Sequence, residues 1–144
     1  MDWSAVSALI DGAGGAHLST ASASGEPHVS VVWAVRDGES IVMTMRTVSG
    51  KATNMRANPR VALMWEGNSA ETYLWGNAEL ITDAAEKSAL WESGIMPFDL
   101  SMFYGGPTTD DWTLVRIAPS RVVSIVRDGN GMQRRVWKGQ HGNG

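Results

Sequence analysis

Apolar and polar residues alternate along much of this chain with a period of two. In HVSVVWAV, residues 28–35, Val29, Val31, Trp33 and Val35 interleave with His28, Ser30, Val32 and Ala34, the spacing of a strand whose side chains point to opposite faces. The flanking SASGEP and RDGES read as hairpin turns, the second built on Asp37-Gly38. The same reading predicts strands over about 16–22, 28–35, 40–46, 60–66, 71–81, 112–118 and 121–127. Helical spacing is confined to three places. Trp3, Val6 and Ile10 share a face of a short N-terminal helix that GAGG at 12–15 breaks. A second helix, over about 49–57, stops at Asn58-Pro59, because the residue before a proline is pushed out of the helical region. A third begins at Asp83, with Glu86 three residues on in a capping-box spacing, and ends near Gly94. Many strands with glycine-rich turns and few helices predict a mainly β fold, a small barrel of six to seven antiparallel strands whose closure removes exposed edges.

Composition narrows the function. With 144 residues, 43% of them hydrophobic, the chain fills one core and has little left for a second. A single domain over 1–144 is expected, with the glycine-rich tail from about 139 disordered. A net charge of -3 without blocks of like charge offers no broad field for nucleic acid or an anionic membrane, so any anion site must be local. The absence of cysteine excludes disulfides, thiolate metal sites and a thiol nucleophile, and suits a reducing cytoplasm. The start, MDWSAVSALIDGAGG, lacks the basic and apolar regions of a signal peptide, and no run is long enough to span a bilayer; a cytoplasmic protein is expected. His17, His28 and His141 have no metal-ligand spacing, and no G-x-S-x-G elbow marks a serine hydrolase. Asp110 and Asp111 read as turn and solvent residues. Trp33, Trp65 and Trp75 fall at strand positions, where sheet packing is the ordinary use of an aromatic ring and stacking on a flat ligand the alternative.

The candidate for local anion chemistry is TMRTVSGKATNMRANPRVALMW, residues 44–65. Thr44 and Arg46 share one face of the third strand, and the chain then turns so that Ser49, Gly50 and Lys51 open the second helix. Free backbone amides and the helix dipole favour an anion there, and glycine lets a ligand approach the backbone. Lys51 adds a charge, Ser49 a hydroxyl donor, and Arg46 a planar fork suited to phosphate. The plainer alternative is a surface turn in which Ser49 caps the helix and Lys51 is solvated.

Three stretches, in the right order, resemble the pyridoxamine 5'-phosphate oxidase-like family of FMN-binding split barrels. GEPHVSVVW at 25–33 is similar to its early hairpin, SGKATNMRANPRVAL at 49–63 to its S/T-x-K-x-x-N-L-x-x-N/D-P-R-V-A-L segment, and LWGNAELITDAAEKSALWESG at 74–94 to its G-x-A-E-L-V-x-D-x-x-E-K segment. The later MPFDLSMFYGGPTTDDWTLVRIAPSRV looks like the branch of general stress proteins and actinobacterial members. The resemblance implies a Greek-key split β-barrel and a homodimer whose two subunits share the cofactor cleft. It implies that Ser49 and Lys51 hold the flavin phosphate and that Met43 and Thr44 line the ring and ribityl chain. It further implies that His28, Val29, Val31 and Trp33 supply the neighbouring strand, and that Trp75 with Phe98, Phe103 and Trp112 form the far wall. Many FMN-binding members carry arginine where this chain has Gly50, a gap for which Arg46 is the available substitute. Glu71 stands where true pyridoxamine phosphate oxidases have glutamine, and RRVWKGQHGNG does not match their arginine-rich ending, so oxidation of pyridoxamine phosphate itself is not expected. The implied function is an FMN-dependent oxidoreductase acting on a small organic substrate. A deazaflavin-dependent reductase and a non-enzymatic flavin-binding stress protein are the alternatives.

Overall fold

The computed structural model describes residues 1–139; His141 and the remainder of the tail lie outside the described residues. In chain order the elements are α1 (Trp3–Ile10), β1 (Ala16–Ala21), β2 (Pro27–Val32), β3 (Val35–Asp37), β4 (Ser40–Arg46) and α2 (Gly50–Ala57). They continue with β5 (Arg60–Gly67), β6 (Ala70–Ile81), α3 (Ala84–Ser93), β7 (Trp112–Asp128) and β8 (Gly131–Lys138). The strands pair antiparallel in the order β2-β1-β5-β6-β7-β4-β3, with β8 added on β7. Among the described residues β2 and β3 end the sheet without pairing to each other, so the fold is a split barrel of eight strands.

Three strand expectations change. The predicted strand over 28–35 is two strands, because β1 and β4 lie in different parts of the sheet and one straight segment cannot pair with both. Trp33 and Ala34 make the crossing. The predicted strands over 112–118 and 121–127 are one strand of 17 residues. Pro119 interrupts the pattern but faces Gly76, where the register shifts, and the Ser120 hydroxyl donates to the Trp75 carbonyl at 3.1 Å. A Cβ on Gly76 would stand 2.5 Å from the Ala118 carbonyl oxygen, so the bulge requires glycine. β8 is absent from the sequence reading, since its exposed residues carry no apolar alternation; Trp137, tilted against Trp3 with ring centres 4.8 Å apart, anchors it.

The helices carry their caps. The Ser49 hydroxyl accepts from the Ala52 amide, Asp83 accepts from the Glu86 amide, and α3 ends at Gly94 with φ of 68°. Inside the curl of the sheet, α1 and α2 pack Val6, Ile10, Ala52 and Met55 against Leu18, Met43, Trp65 and Ile117. Outside β4 and β7 a second core gathers Val42, Leu90, Met96, Leu100, Trp112 and Leu114. β4 therefore sits between two apolar layers, and burying each of its large side chains contributes roughly 2 kcal/mol. Among the described residues no helix is long and apolar enough to cross a membrane.

Candidate functional site

β4 ends at Arg46, and the turn that follows is fixed by the segment entering β7, the strand paired beside it. The Thr47 amide donates to the Asp111 carbonyl at 3.1 Å, and its hydroxyl to the Asp110 carbonyl at 2.7 Å. Arg56 holds the Thr47 carbonyl at 3.0 Å. Ser49 is thereby placed as N-cap: its oxygen accepts from Ala52 at 3.3 Å, and its carbonyl accepts from the Thr53 amide at 3.0 Å. That leaves the Gly50 and Lys51 amides without partners among the described residues, and the Ser49 hydrogen free to donate. Nothing lies within 4 Å of where a Cβ on Gly50 would stand. Capping and anion binding are compatible here, because the cap uses the oxygen of Ser49 and an anion would use its hydrogen.

These groups open into a cavity of about 420 Å³ lined by Val31, Val32, Trp33, Thr44, Met45, Arg46, Ser49, Lys51, Phe98, Phe103 and Tyr104. Its size is that of an ordinary small-molecule site. One wall is apolar and comes from β2 and β4; the opposite wall is aromatic. Phe98 and Phe103 meet edge to face at 5.3 Å, and Tyr104 stacks on Trp112 at 5.5 Å and 18°. The Tyr104 hydroxyl donates to Thr44 Oγ1 at 3.2 Å, tying the loop to β4. Burial pushes that phenol above its ordinary range, opposed first by the Thr44 hydrogen bond and then by the nearby Arg46 charge, so it stays protonated at neutral pH. Asp111 braces the same loop, accepting from the Gly105 amide at 2.9 Å and from the Thr109 hydroxyl. Those two bonds, the Thr109 bond first, hold its carboxyl below the usual range.

Of the residues singled out in the sequence, Val31, Trp33, Thr44, Arg46, Ser49 and Lys51 converge on this cavity, with Gly50 at its helix end. Met43 does not line it; alternation along β4 turns that side chain into the inner core, fully buried. His28 and Val29 are exposed on β2, outside the cavity lining. Of the expected far wall, Phe98 and Phe103 are in place, while Trp112 stands behind Tyr104, fully buried. Trp75 lies on the outer face of β6 beneath the Arg121 guanidinium, 4.1 Å from the ring centre. Glu71 is also remote from the cavity: Arg127 at 2.6 Å and the Tyr73 hydroxyl at 2.9 Å hold it ionised, the Tyr73 bond lowering its pKa most. Sequence reasoning missed Val32, Met45 and Tyr104. Val32 and Met45 lie at or next to the ends of β2 and β4, where consecutive residues, and so both faces of the strand, reach the cavity, and Tyr104 was signalled only by its neighbour Phe103.

The Pyridoxamine 5'-phosphate oxidase family model matches residues 3–125. The chain belongs to that family. Solved structures share its fold over most of its length. A protein from Clostridium acetobutylicum related to general stress protein 26 of B. subtilis superposes with a TM-score of 0.75 at 17% identity, covering 96% of each chain. A pyridoxamine 5'-phosphate oxidase-related, FMN binding protein from Nostoc punctiforme gives 0.67 at 16% identity, over 90% of this chain and 83% of that one. A structure named F420 reductase gives 0.61 at 25% identity, over 80% of this chain and 93% of that one. No curated protein sequence matches the chain. Among the described residues no three His, Cys, Asp or Glu side chains converge as metal ligands would.

Proposed function

We propose that this family member binds a flavin in the cavity, with FMN the first candidate, and acts as an oxidoreductase on a small organic substrate. One observation carries the reading. An anion cradle, made of Ser49, Lys51, Arg46 and two unpartnered amides, opens into the same cavity as a slot between an apolar and an aromatic wall. FMN has this division, a phosphate at one end and a flat ring at the other. The donor set fits the phosphate, and the open space over Gly50 leaves room for it. The bound flavin would supply the redox chemistry itself. The chain's residues hold the phosphate, sandwich the ring and keep water from it, which asks for no acid-base pair.

A homodimer is part of the proposal. The ladder registers put Val31, His17, Met64, Tyr73, Val123 and Val136 in one row across six strands, and Val29, Ser19, Ala62, Trp75, Arg121 and Lys138 in the next. Both rows lie on the face opposite the inner core, and at the β2 edge Val29 and Val31 are 66% and 71% exposed, with Trp33 51% exposed beside them. Such a stripe favours a partner. A second copy over this face would carry its Trp75 toward the cavity edge at Val31, where the family resemblance expects a far wall.

A deazaflavin coenzyme is the second reading, favoured by Gly50 in place of the arginine and by the 25% identity to the F420 reductase. Titration of the purified protein with FMN and with the deazaflavin coenzyme, following ligand fluorescence, separates the two. Lys51→Ala should weaken binding by about 1–3 kcal/mol as a charge-assisted bond is lost. Gly50→Arg, for which there is space, should tighten FMN. Saturation by the deazaflavin alone moves the assignment, and binding of neither ends it. Absence of turnover in the loaded protein with reduced nicotinamide and quinone acceptors would favour the non-enzymatic carrier.

A further inference from the structure

The D-x-x-E-K run at 83–87 contributes nothing to the cavity lining, yet it carries the one charged side chain buried among the described residues. Lys87, on α3, is 2% exposed. An ammonium is kept from water only where other groups replace its hydration. Lys87 Nζ donates to the Thr109 carbonyl at 2.6 Å and lies 4.6 Å from the centre of the Trp112 ring. The Asp111 carboxylate lies on the same loop, where Thr109 and the Gly105 amide hold it, and forms no ion pair with Lys87 among the described residues. Every one of these partners belongs to the segment 104–112. Trp112 donates its indole N–H to the Gly106 carbonyl at 2.9 Å and stacks on Tyr104, and the Thr109 amide returns to the Gly106 carbonyl at 3.3 Å. A cation on α3 thus grips the middle of the loop, whose end is held separately by Thr47.

We propose that Lys87 is a positioning residue for the cavity: it grips Thr109 and Trp112, and the Trp112–Tyr104 stack passes that hold to the Tyr104 hydroxyl at Thr44 and to Phe103 at the cavity mouth. It touches no ligand. An aromatic wall carried on an irregular loop is only as fixed as the groups behind it; here Thr47 holds the loop's end at Asp110 and Asp111, while the ammonium and the indole hold its middle at Thr109 and Gly106. The consequence for binding rests on the flavin reading of the cavity; the consequence for the loop does not.

The test compares the ligand-free full chain with Lys87→Met, which keeps the length and apolar bulk of the side chain, and Lys87→Arg, which keeps the charge. Replacing a buried charge by an apolar isostere can leave overall stability unchanged, so the readout is local. Hydrogen exchange of the 103–111 amides should accelerate at least tenfold in Lys87→Met while α2 and β5 keep their rates. FMN affinity should fall about tenfold and recover toward wild type in Lys87→Arg. Unchanged exchange in the loop, or acceleration spread evenly through the sheet, overturns the proposal. A loosened loop in a chain whose wild type binds no flavin supports Lys87 as the grip and sinks the flavin assignment instead. Should Lys87→Met fail to fold, the wild-type chain still answers: amine acylation should modify Lys87 at least tenfold more slowly than Lys51 and Lys138, and equal rates overturn the proposal.

Discussion

At one end of the cavity, every group that faces an anion comes from the short run between Arg46 and Lys51; at the other, Phe103 and Tyr104 arrive on a loop, and Tyr104 meets its partner Thr44 from 60 residues away. The first end is local. Its charge and amides follow from a strand that stops and a helix that starts, and little of the core depends on them. The second end is the surface of a core: Tyr104 rests on Trp112, which is buried with Leu90, Leu100 and Leu114. A pocket made this way separates binding from folding at one end and joins them at the other.

That contrast can be broken most forcefully at Trp112. Trp112→Ala should cost about 4 kcal/mol in a urea melt, the usual toll of truncating a buried tryptophan. A loss under about 1 kcal/mol would mean that the loop is not part of the second core. Lys51→Ala, by contrast, should leave the melt within about 0.5 kcal/mol of wild type while weakening the ligand, the behaviour of a surface position. Loss of stability there would show that the anion end is structural after all. Ser49→Ala falls between, at about 1 kcal/mol, because the cap of α2 goes with the hydroxyl; the same variant should also weaken the flavin.

The smallest expected effect concerns pH. Asp111 is held ionised in the fold by Thr109 and the Gly105 amide, so its folded pKa lies below the unfolded one. Its contribution is therefore complete above the ordinary carboxylate pKa and fades as pH drops through the lowered value, a window below about pH 4. The difference in thermal midpoint between wild type and Asp111→Asn should be constant near neutrality and shrink in that window. A difference that grows on acidification would reverse the assignment.

The legibility of the molecule follows the same division. The helix caps at Ser49 and Asp83 could be read from the sequence because capping is a three-residue transaction. Ser49, Lys51, Thr44 and Arg46 could be placed together for the same reason. Met43 was misplaced because a strand lying between two cores is apolar on both faces, and alternation then does not say which face meets the ligand. The break at Trp33 depends on where β1 and β4 lie in the sheet, and the join at Pro119 on a glycine in another strand. Lys87 is the extreme case, since nothing in its neighbours in sequence announces a buried ammonium whose partners lie 22 and more residues on.

β7 has an evolutionary consequence. It pairs with β4 through its first half, with β8 through its second, and with β6 through nearly all its length. Adding or deleting one residue within it would throw neighbouring ladders out of step together, so length variation among descendants of such a chain is pushed away from it. The hairpin tips at 22–26 and 128–131, which take no part in the cavity lining, are connections free to grow or shrink. A lineage built on this strand can therefore vary its hairpin tips many times over while both ends of the cavity stay where they are.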